Sequence, residues 1–205
     1  MMNKRKILLV IIPFILFAMI TILIAAGITV NFEGWAYKES IEHMVPGLTS
    51  IMKFITHIGD TITVTIFCLI LIILPKARNT IAWPVSITVI ASIILNLLFK
   101  NIFNRERPDI LRLINETSYS FPSGHAMINA SLYTVLILLI FQYVKSIPKK
   151  LTLSAICVIL TAAIGFSRVY LGVHYAGDIL GGWFLGVAVA VCVYFIWNVK
   201  WLSRT

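Results

Sequence analysis

Charged residues are scarce in this chain. They make up 12% of its 205 residues, whereas hydrophobic residues make up 60% and the mean hydropathy is +0.96. Soluble domains have about 25% charged and about 45–50% apolar residues, so the composition argues against a soluble globular domain. The formal net charge of +9 does not indicate a nucleic-acid partner, because basic nucleic-acid-binding domains are not this apolar. The composition predicts a protein whose partner is the lipid bilayer.

Cysteine is equally scarce, and its positions exclude a disulfide-rich fold. The three cysteines, Cys68, Cys157 and Cys192, lie inside apolar runs, and an odd number cannot complete a set of disulfides. Neither these residues nor the few histidines and carboxylates have the spacing of metal ligands. We therefore interpret the cysteines as small hydrophobic residues and predict neither a metal nor a cofactor.

Long apolar runs recur along the whole chain. Crossing a hydrocarbon core about 30 Å thick takes about 20 residues of helix. The second run is short, so its helix is expected to begin near 48–51. The first exceeds the apolar core of a secretory signal, which favours an uncleaved anchor. The sequence predicts an all-α bundle of six transmembrane helices that forms one domain, residues 1–205. The six runs are Ile7–Val30, Thr61–Pro75, Asn79–Phe99, Ala126–Val144, Leu151–Ser167 and Ile179–Val199.

The charges divide unequally between the two sides of this bundle. One side has both termini and the loops around residues 76–78 and 145–150, with 10 of the 17 basic residues and no acidic residue. The other side has the remaining seven basic residues and all eight acidic residues. Because positive loops face the cytoplasm, we expect both termini in the cytoplasm. Every unusual polar cluster then lies at the extracytoplasmic face.

The first cluster ends the third span. Lys100 and Arg107 are seven residues apart, or two helical turns, and Pro108 follows. If the helix continues that far, both cations face the same direction. The alternative is a belt of cations that extend to the lipid headgroups.

The second cluster precedes the fourth span, in the sequence Pro122-Ser123-Gly124-His125. Proline and serine are typical of a helix start, where unpaired N–H groups and a partial positive charge favour an anion. A histidine here can reach that anion. An ordinary helix cap with an interfacial histidine is the alternative.

The third cluster lies between the last two spans and contains Ser167, Arg168, His174 and Asp178. His174 and Asp178 share a face if both are helical. An aspartate that accepts from one imidazole nitrogen leaves the other as a free lone pair. A purely structural His–Asp hydrogen bond is the alternative. Gly177, Gly181, Gly182 and Gly186 are assigned to helix packing.

The joint occurrence of these clusters on one side favours chemistry over chance. Together they supply three cations, a helix N-terminus, two histidines and a carboxylate. Phosphoryl transfer needs neutralised equatorial oxygens, a nucleophile and an acid for the leaving oxygen. Guanidinium groups suit phosphate oxygens, and lysine adds a point charge. The spacing alone does not identify the attacking histidine, although Asp178 favours His174.

The three clusters match, in order, the signature of the type-2 phosphatidic acid phosphatase superfamily: Lys-x6-Arg-Pro, Pro-Ser-Gly-His and Ser-Arg-x5-His-x3-Asp, over residues 100–178. The resemblance implies that His174 attacks phosphorus and forms a phosphohistidine, that Asp178 orients it, and that His125 protonates the leaving group. It also implies a phosphate cradle, which consists of Lys100, Arg107, Ser123, Gly124 and Arg168.

Within the superfamily, the size and six-span form resemble bacterial phosphatidylglycerophosphate phosphatases of the B type, enzymes of phospholipid metabolism in the cytoplasmic membrane. This resemblance implies a phospholipid substrate. An undecaprenyl pyrophosphate phosphatase that recycles the cell-wall lipid carrier, or a broad-specificity lipid phosphatase, is the alternative. Arg105 and Arg112 could contact an additional anionic headgroup. An anion transporter and a phosphotransferase are more distant alternative hypotheses.

Overall fold

The structure is a computed structural model that describes residues 4–109 and 111–202, and every described element is helical. Helices α1 to α4 come first, the three-residue helix α5 and a π-helical turn at Arg78–Ala82 follow, and four long helices, α6 to α9, complete the fold. The α-helices are α1 (Lys4–Ala25), α2 (Val30–Glu42), α3 (Pro46–Ile58), α4 (Thr61–Ile73), α5 (Pro75–Ala77), α6 (Trp83–Phe103), α7 (Gly124–Tyr143), α8 (Ile147–Tyr170) and α9 (Ala176–Leu202).

The lengths and apolar compositions of these helices suit a bilayer. Five of the described helices can cross a membrane, and a sixth crossing results if the bent pair α3 and α4 counts as one span. The angle between α3 and α4 is 44°, and the break falls at Gly59–Asp60. The second span therefore begins before its apolar run, as expected, but its first part is the separate helix α3 and not a continuous extension of α4.

Helices α7 and α9 form the centre of the bundle, and α1, α6 and α8 pack around them. The centre is tight because glycines of α9 face the backbone of α7: a Cβ atom at Gly186 would lie 2.3 Å from the carbonyl oxygen of Met127. The predicted role of the glycines in helix packing is confirmed here. Small residues of this kind let helices associate closely in lipid.

The outer faces of the bundle are apolar and exposed. Ile15 on α1, Ile73 on α4 and Ile159 on α8 have 59%, 75% and 65% of their surface accessible. Water would make such a surface unfavourable, whereas lipid tails solvate it. The protein is therefore an integral membrane protein.

The helix ends divide between two ends of the bundle, as the charge count requires. Lys6 of α1 lies 5.7 Å from the ring centre of Phe195 on α9, and Gln142 of α7 donates to Asn198 of α9 over 3.3 Å. The start of α1 and the ends of α7 and α9 thus lie together, away from the three clusters. Arg204, one of the cations counted on this side, lies outside the described residues.

Candidate active site

Helix α6 ends before it reaches Arg107. It stops at Phe103, and Asn104 follows with a left-handed backbone (φ 47°), so Lys100 and Arg107 do not share a helical face. A loop joins them instead: Lys100 Nζ and Arg107 Nη2 both donate to Ser118 Oγ, over 3.0 and 3.1 Å. The two cations are therefore neighbours through Ser118, and the condition for a shared helical face, a helix that continues to Arg107, is not met.

The second cluster forms the start of α7. Ser123 is the N-cap, and its hydroxyl accepts from the backbone N–H of Ala126 at 3.5 Å. Its own N–H donates to the carbonyl oxygen of Asp178 over 3.1 Å, which joins the starts of α7 and α9. Gly124 fits against Asn96, since a Cβ atom at Gly124 would lie 3.0 Å from Asn96 Oδ1. The first turn of a helix placed this way favours an anion.

The third cluster brings His174 and Asp178 together from different elements. His174 lies in the turn before α9, and Asp178 lies in the first turn of that helix. Asp178 Oδ2 is 3.4 Å from His174 Nδ1 and accepts from the N–H of Tyr175 over 2.9 Å. Ser120 Oγ also donates to Asp178 Oδ2. The predicted pairing is therefore present, although His174 is not helical.

The second nitrogen of His174 faces a cation. Its Nε2 atom is 3.2 Å from Arg107 Nη1, and a guanidinium group can only donate. The imidazole therefore accepts at Nε2 and carries its proton on Nδ1, next to Asp178. Burial, together with the charges of Arg107, Arg168 and Lys100, holds the pKa of His174 well below its usual range. At neutral pH the ring is uncharged and its Nε2 atom is unprotonated, with its lone pair directed at Arg107.

His125 has a carboxylate partner that the sequence did not reveal. Its Nε2 atom is 2.7 Å from Asp60 Oδ1, across 65 residues of chain. The other carboxylate oxygen of Asp60 is 2.8 Å from His57 Nδ1. No spacing pattern marks this contact, because the residues come from the α3–α4 break and the start of α7.

Arg168 is the most deeply buried cation of the site, with 1% of its surface exposed. Its Nη1 atom donates to Thr56 Oγ1 over 2.7 Å, and its Nη2 atom donates to Glu116. Its Nε–H is buried and has no hydrogen-bond partner among the described residues. An unpaired buried donor is costly, and a phosphoryl oxygen is a suitable acceptor for it.

Glu116 is the second site residue that the sequence did not reveal. Besides its bond with Arg168, its Oε2 atom is 3.7 Å from Arg107 Nη2. Burial alone raises the pKa of Glu116, but the charges of Arg168 and Arg107 outweigh burial and lower it. The carboxylate is therefore ionised at neutral pH between two cations that were predicted to hold phosphate.

Arg105 binds two carboxylates, so its guanidinium group is not free to contact an additional headgroup. Its Nη1 atom is 2.6 Å from Asp178 Oδ1 and its Nη2 atom is 2.7 Å from Glu33 Oε2. Burial opposes the charged form, yet Asp178 and Glu33 raise the pKa of Arg105 overall. The guanidinium thus connects helix α2 to the carboxylate behind His174. Arg112 donates to the carbonyl oxygens of Pro108 and Arg107.

A cavity of about 270 Å³ joins these groups. Ser123 and Asp178 are fully buried behind its wall. Apolar residues of α6 and α7, namely Ile93, Leu97 and Ile128, also line the cavity, and Leu97 is exposed on the outer surface. The lining can therefore contact both a charged group and hydrocarbon. Six of the eight predicted site residues line it: Lys100, Arg107, Gly124, His125, Arg168 and His174.

A second, polar cavity of about 400 Å³ adjoins the first and shares Arg107, Glu116 and Ser118 with it. Arg112 and Glu106 also line it. Across residues 4–109 and 111–202, no group of three or more histidine, cysteine or carboxylate side chains is arranged to hold a metal ion.

Comparison with known proteins gives consistent matches. Residues 81–201 match the family model of the PAP2 superfamily. The chain is 34% identical over 157 residues to phosphatidylglycerophosphatase B of Bacillus subtilis, a match that covers 73% of this chain and 75% of that protein. It is 27% identical over 192 residues to an undecaprenyl-diphosphatase of Sulfolobus acidocaldarius, covering 90% and 88%. A crystal structure of a transmembrane PAP2-type phosphatidylglycerolphosphate phosphatase from Bacillus subtilis has a TM-score of 0.80 at 29% identity, over 91% of this chain and 96% of that one.

Proposed function

The chain belongs to the PAP2 superfamily and is a membrane lipid phosphatase, and from this we propose that it hydrolyses the terminal phosphate monoester of phosphatidylglycerophosphate to give phosphatidylglycerol. The observation that carries the proposal is the cavity in which an uncharged His174, a carboxylate-paired His125 and three cations meet. The identity of 34% with a phosphatidylglycerophosphatase, against 27% with an undecaprenyl-diphosphatase, favours this lipid as the substrate.

In the first step, His174 Nε2 attacks phosphorus while the bond to the leaving oxygen breaks. The electron pair stays on that oxygen, and His125 supplies its proton. Asp178 stabilises the positive charge that develops on His174, because its Oδ2 atom faces Nδ1. Lys100, Arg107 and Arg168 neutralise the three phosphoryl oxygens, and the first turn of α7 at Ser123 and Gly124 adds N–H donors.

In the second step, water hydrolyses the phosphohistidine. His125, now uncharged, takes a proton from the attacking water, and the P–N bond breaks with its electrons returning to His174 Nε2. His125 therefore ends the cycle protonated, as it began. The residues perform the whole reaction without a metal, so activity should persist in EDTA, whereas loss that Mg²⁺ restores would contradict this mechanism.

The roles of the two histidines can be separated by leaving group. His174→Ala should abolish both turnover and an acid-quenched phosphoenzyme formed from ³²P-labelled substrate. His125→Ala should lower the rate by about 10²–10⁴-fold on an alkyl phosphate. The loss should be much smaller on an aryl phosphate, because its aryloxide leaving group departs without a proton. If aryl phosphate rescues His174→Ala but not His125→Ala, the two roles are inverted.

Undecaprenyl pyrophosphate is the second candidate substrate, because the match with an undecaprenyl-diphosphatase covers 90% of the chain. Purified protein should be compared on phosphatidylglycerophosphate, phosphatidate and undecaprenyl pyrophosphate by kcat/KM. The highest value for phosphatidylglycerophosphate supports the proposal, and similar values for all three indicate a broad-specificity phosphatase. Transfer of label to an acceptor other than water would indicate a phosphotransferase, and phosphate flux without hydrolysis in proteoliposomes would indicate a transporter.

The proposed location is the bacterial cytoplasmic membrane, with both termini inside and the cavity facing outside. The support is the charge distribution: the end of the bundle opposite the cavity has Lys6, Lys145 and Lys150 and no acidic residue. Loops rich in lysine and arginine stay in the cytoplasm.

A further inference from the structure

Asp60 lies between two histidines at the break between α3 and α4. Its Oδ1 atom is 2.7 Å from His125 Nε2, and its Oδ2 atom is 2.8 Å from His57 Nδ1. Side-chain exposure falls along this row, from 73% at His57 to 34% at Asp60 and 15% at His125. One carboxylate thus connects an exposed histidine to one that lines the cavity.

We propose that Asp60 is the positioning residue of His125, a proposal that rests on the general-acid role proposed above for that histidine. The contact fixes Nε2 toward Asp60 and leaves Nδ1 as the nitrogen that donates to the leaving oxygen. A carboxylate at hydrogen-bond distance also stabilises the imidazolium that must be present before the P–O bond breaks. The proton moves from Nδ1 to the leaving oxygen, His125 becomes neutral, and the attacking water returns a proton in the second step.

The surrounding structure holds Asp60 and His125 at a fixed separation. Asn129 Nδ2 donates to the carbonyl oxygens of both Gly59 and His125, over 2.8 and 2.9 Å. Gly59 has no room for a side chain, since a Cβ atom there would lie 2.5 Å from Ile164 Cγ2. One buried amide thus ties the backbone next to Asp60 to the backbone of His125, which is the arrangement that a catalytic pair needs.

The other charged groups around His125 determine how stable its imidazolium form would be without Asp60. Arg168 from α8 and Glu116 from the loop line the same cavity, together with Lys100 and His174. The described carboxylates near His125 are Asp60, in direct contact, and Glu116, which binds Arg168. Without the charge of Asp60 the cations dominate, so the imidazolium is less stable and the alkaline limb of the rate profile should move to lower pH.

The decisive variant is Asp60→Asn, assayed on an alkyl and an aryl phosphate with the same preparation. The alkyl substrate needs a proton for its leaving oxygen and the aryl substrate does not. We expect kcat on the alkyl phosphate to fall about 10- to 100-fold, with a much smaller fall on the aryl phosphate. The ratio of the two rates does not depend on how much of the variant folds. Asp60→Glu should recover part of the alkyl activity.

Three further variants serve as controls. Glu39 on α2 and His43, the residue that follows this helix, form an exposed carboxylate–histidine pair, 3.6 Å apart and outside the cavity, so Glu39→Gln should leave both rates unchanged. His57→Gln should change the alkyl rate only a few-fold, because its bond to Asp60 is largely exposed to solvent. Adding Asp60→Asn to His125→Ala should cause no further loss, since both act through one group.

The outcomes distinguish this proposal from the one on which it rests. Equal losses on alkyl and aryl phosphate in Asp60→Asn, or no loss on either, overturn the positioning role while His125→Ala still shows its leaving-group dependence. If His125→Ala shows no such dependence, the general-acid assignment itself is wrong, and the positioning role of Asp60 falls with it. A selective alkyl loss in both variants, with the alkaline limb displaced in Asp60→Asn, establishes Asp60 as the partner of the general acid.

Discussion

Glu116 places a negative charge in a cavity that is proposed to bind an anionic phosphate group. It binds Arg168 and lies 3.7 Å from Arg107, so it uses guanidinium groups that phosphoryl oxygens also need. A bidentate guanidinium pair with phosphate or carboxylate has the same geometry. Substrate must therefore compete with Glu116 for these donors or displace it.

Removing this competition should strengthen substrate binding. In Glu116→Gln we expect KM for the lipid phosphate and the inhibition constant of vanadate to fall about three- to tenfold, since one charge-assisted bond of a partly exposed pair is lost from the competing state. Glu106→Gln, an exposed residue of the adjacent cavity, is the matched control and should change neither. A higher KM in Glu116→Gln would mean that the carboxylate orients Arg168 for substrate.

A site contact that the sequence predicted joins residues close together in the chain, whereas the contacts that it missed join residues far apart in the chain. His174 and Asp178 are four residues apart, so their spacing showed the pair. Asp60 and His125 are 65 residues apart, and Glu116 and Arg168 are 52 apart. Periodicity carries no information over such distances, because only the packed helices bring these residues together.

At the scale of helices, α2 is more than a connection between spans. Its buried Glu33 binds Arg105, which in turn binds Asp178 Oδ1. Gly177 leaves room for this contact, because a Cβ atom there would lie 2.4 Å from Glu33 Oε1. A polar helix outside the apolar runs thus supports the carboxylate behind His174.

Cutting this support should slow the reaction without removing it. Glu33→Gln leaves Arg105 bound to Asp178 alone, and removal of one partner of a buried ion pair is destabilising. We expect kcat to fall about tenfold, equivalent to about 1.4 kcal/mol, with a smaller change in KM and a lower Tm. Glu42→Gln on the same helix loses only an exposed pair with Lys38 at 3.6 Å and should be neutral. An unchanged kcat in Glu33→Gln would show that α2 does not influence Asp178.

The contact between α7 and α9 can be tested with two glycines. Gly186→Ala places a Cβ atom 2.3 Å from the carbonyl oxygen of Met127, and backbone cannot yield as a side chain can. We expect a loss of about 1–3 kcal/mol, measured as a lower Tm in detergent. Gly34→Ala on α2 meets nothing within 4 Å and should have the opposite sign, because alanine favours a helix over glycine. Equal effects of both would contradict the tight packing of α9 on α7.

Hydropathy predicted the long helices and the short helix α4, but not α2 or the break between α3 and α4. Predicted runs such as Asn79–Phe99 and Leu151–Ser167 lie close to Trp83–Phe103 and Ile147–Tyr170. Helix α2 and the break at Gly59–Asp60 have no such signal, since α2 contains charged residues and the break depends on space beside Ile164. These two elements carry Glu33 and Asp60, so these two residues were missed together with the local structure that positions them.

For the whole molecule, the main prediction that can still be tested is the side of the membrane on which the cavity opens. Asn115 lies in the loop next to Glu116, and Ser146 lies between α7 and α8 at the other end of the bundle; both are exposed. In a background where Cys68, Cys157 and Cys192 are replaced by alanine, Asn115→Cys should react with a membrane-impermeant thiol reagent in intact cells. Ser146→Cys should react only after permeabilisation.

This experiment decides more than orientation, because the two ends of the bundle differ in chemistry. The end with Ser146 has lysines and arginines without carboxylates, and the end with Asn115 has all eight acidic residues, several of them bound to the cations of the site. We expect the excess of free positive charge at the first end to hold that end in the cytoplasm. In the fold, ion pairs neutralise the cations of the site, which leaves the other end as the positive one. Labelling of Ser146→Cys from outside would mean that this difference in charge does not set the orientation. The cavity would then open to the cytoplasm, and its substrate would be a lipid of the inner leaflet.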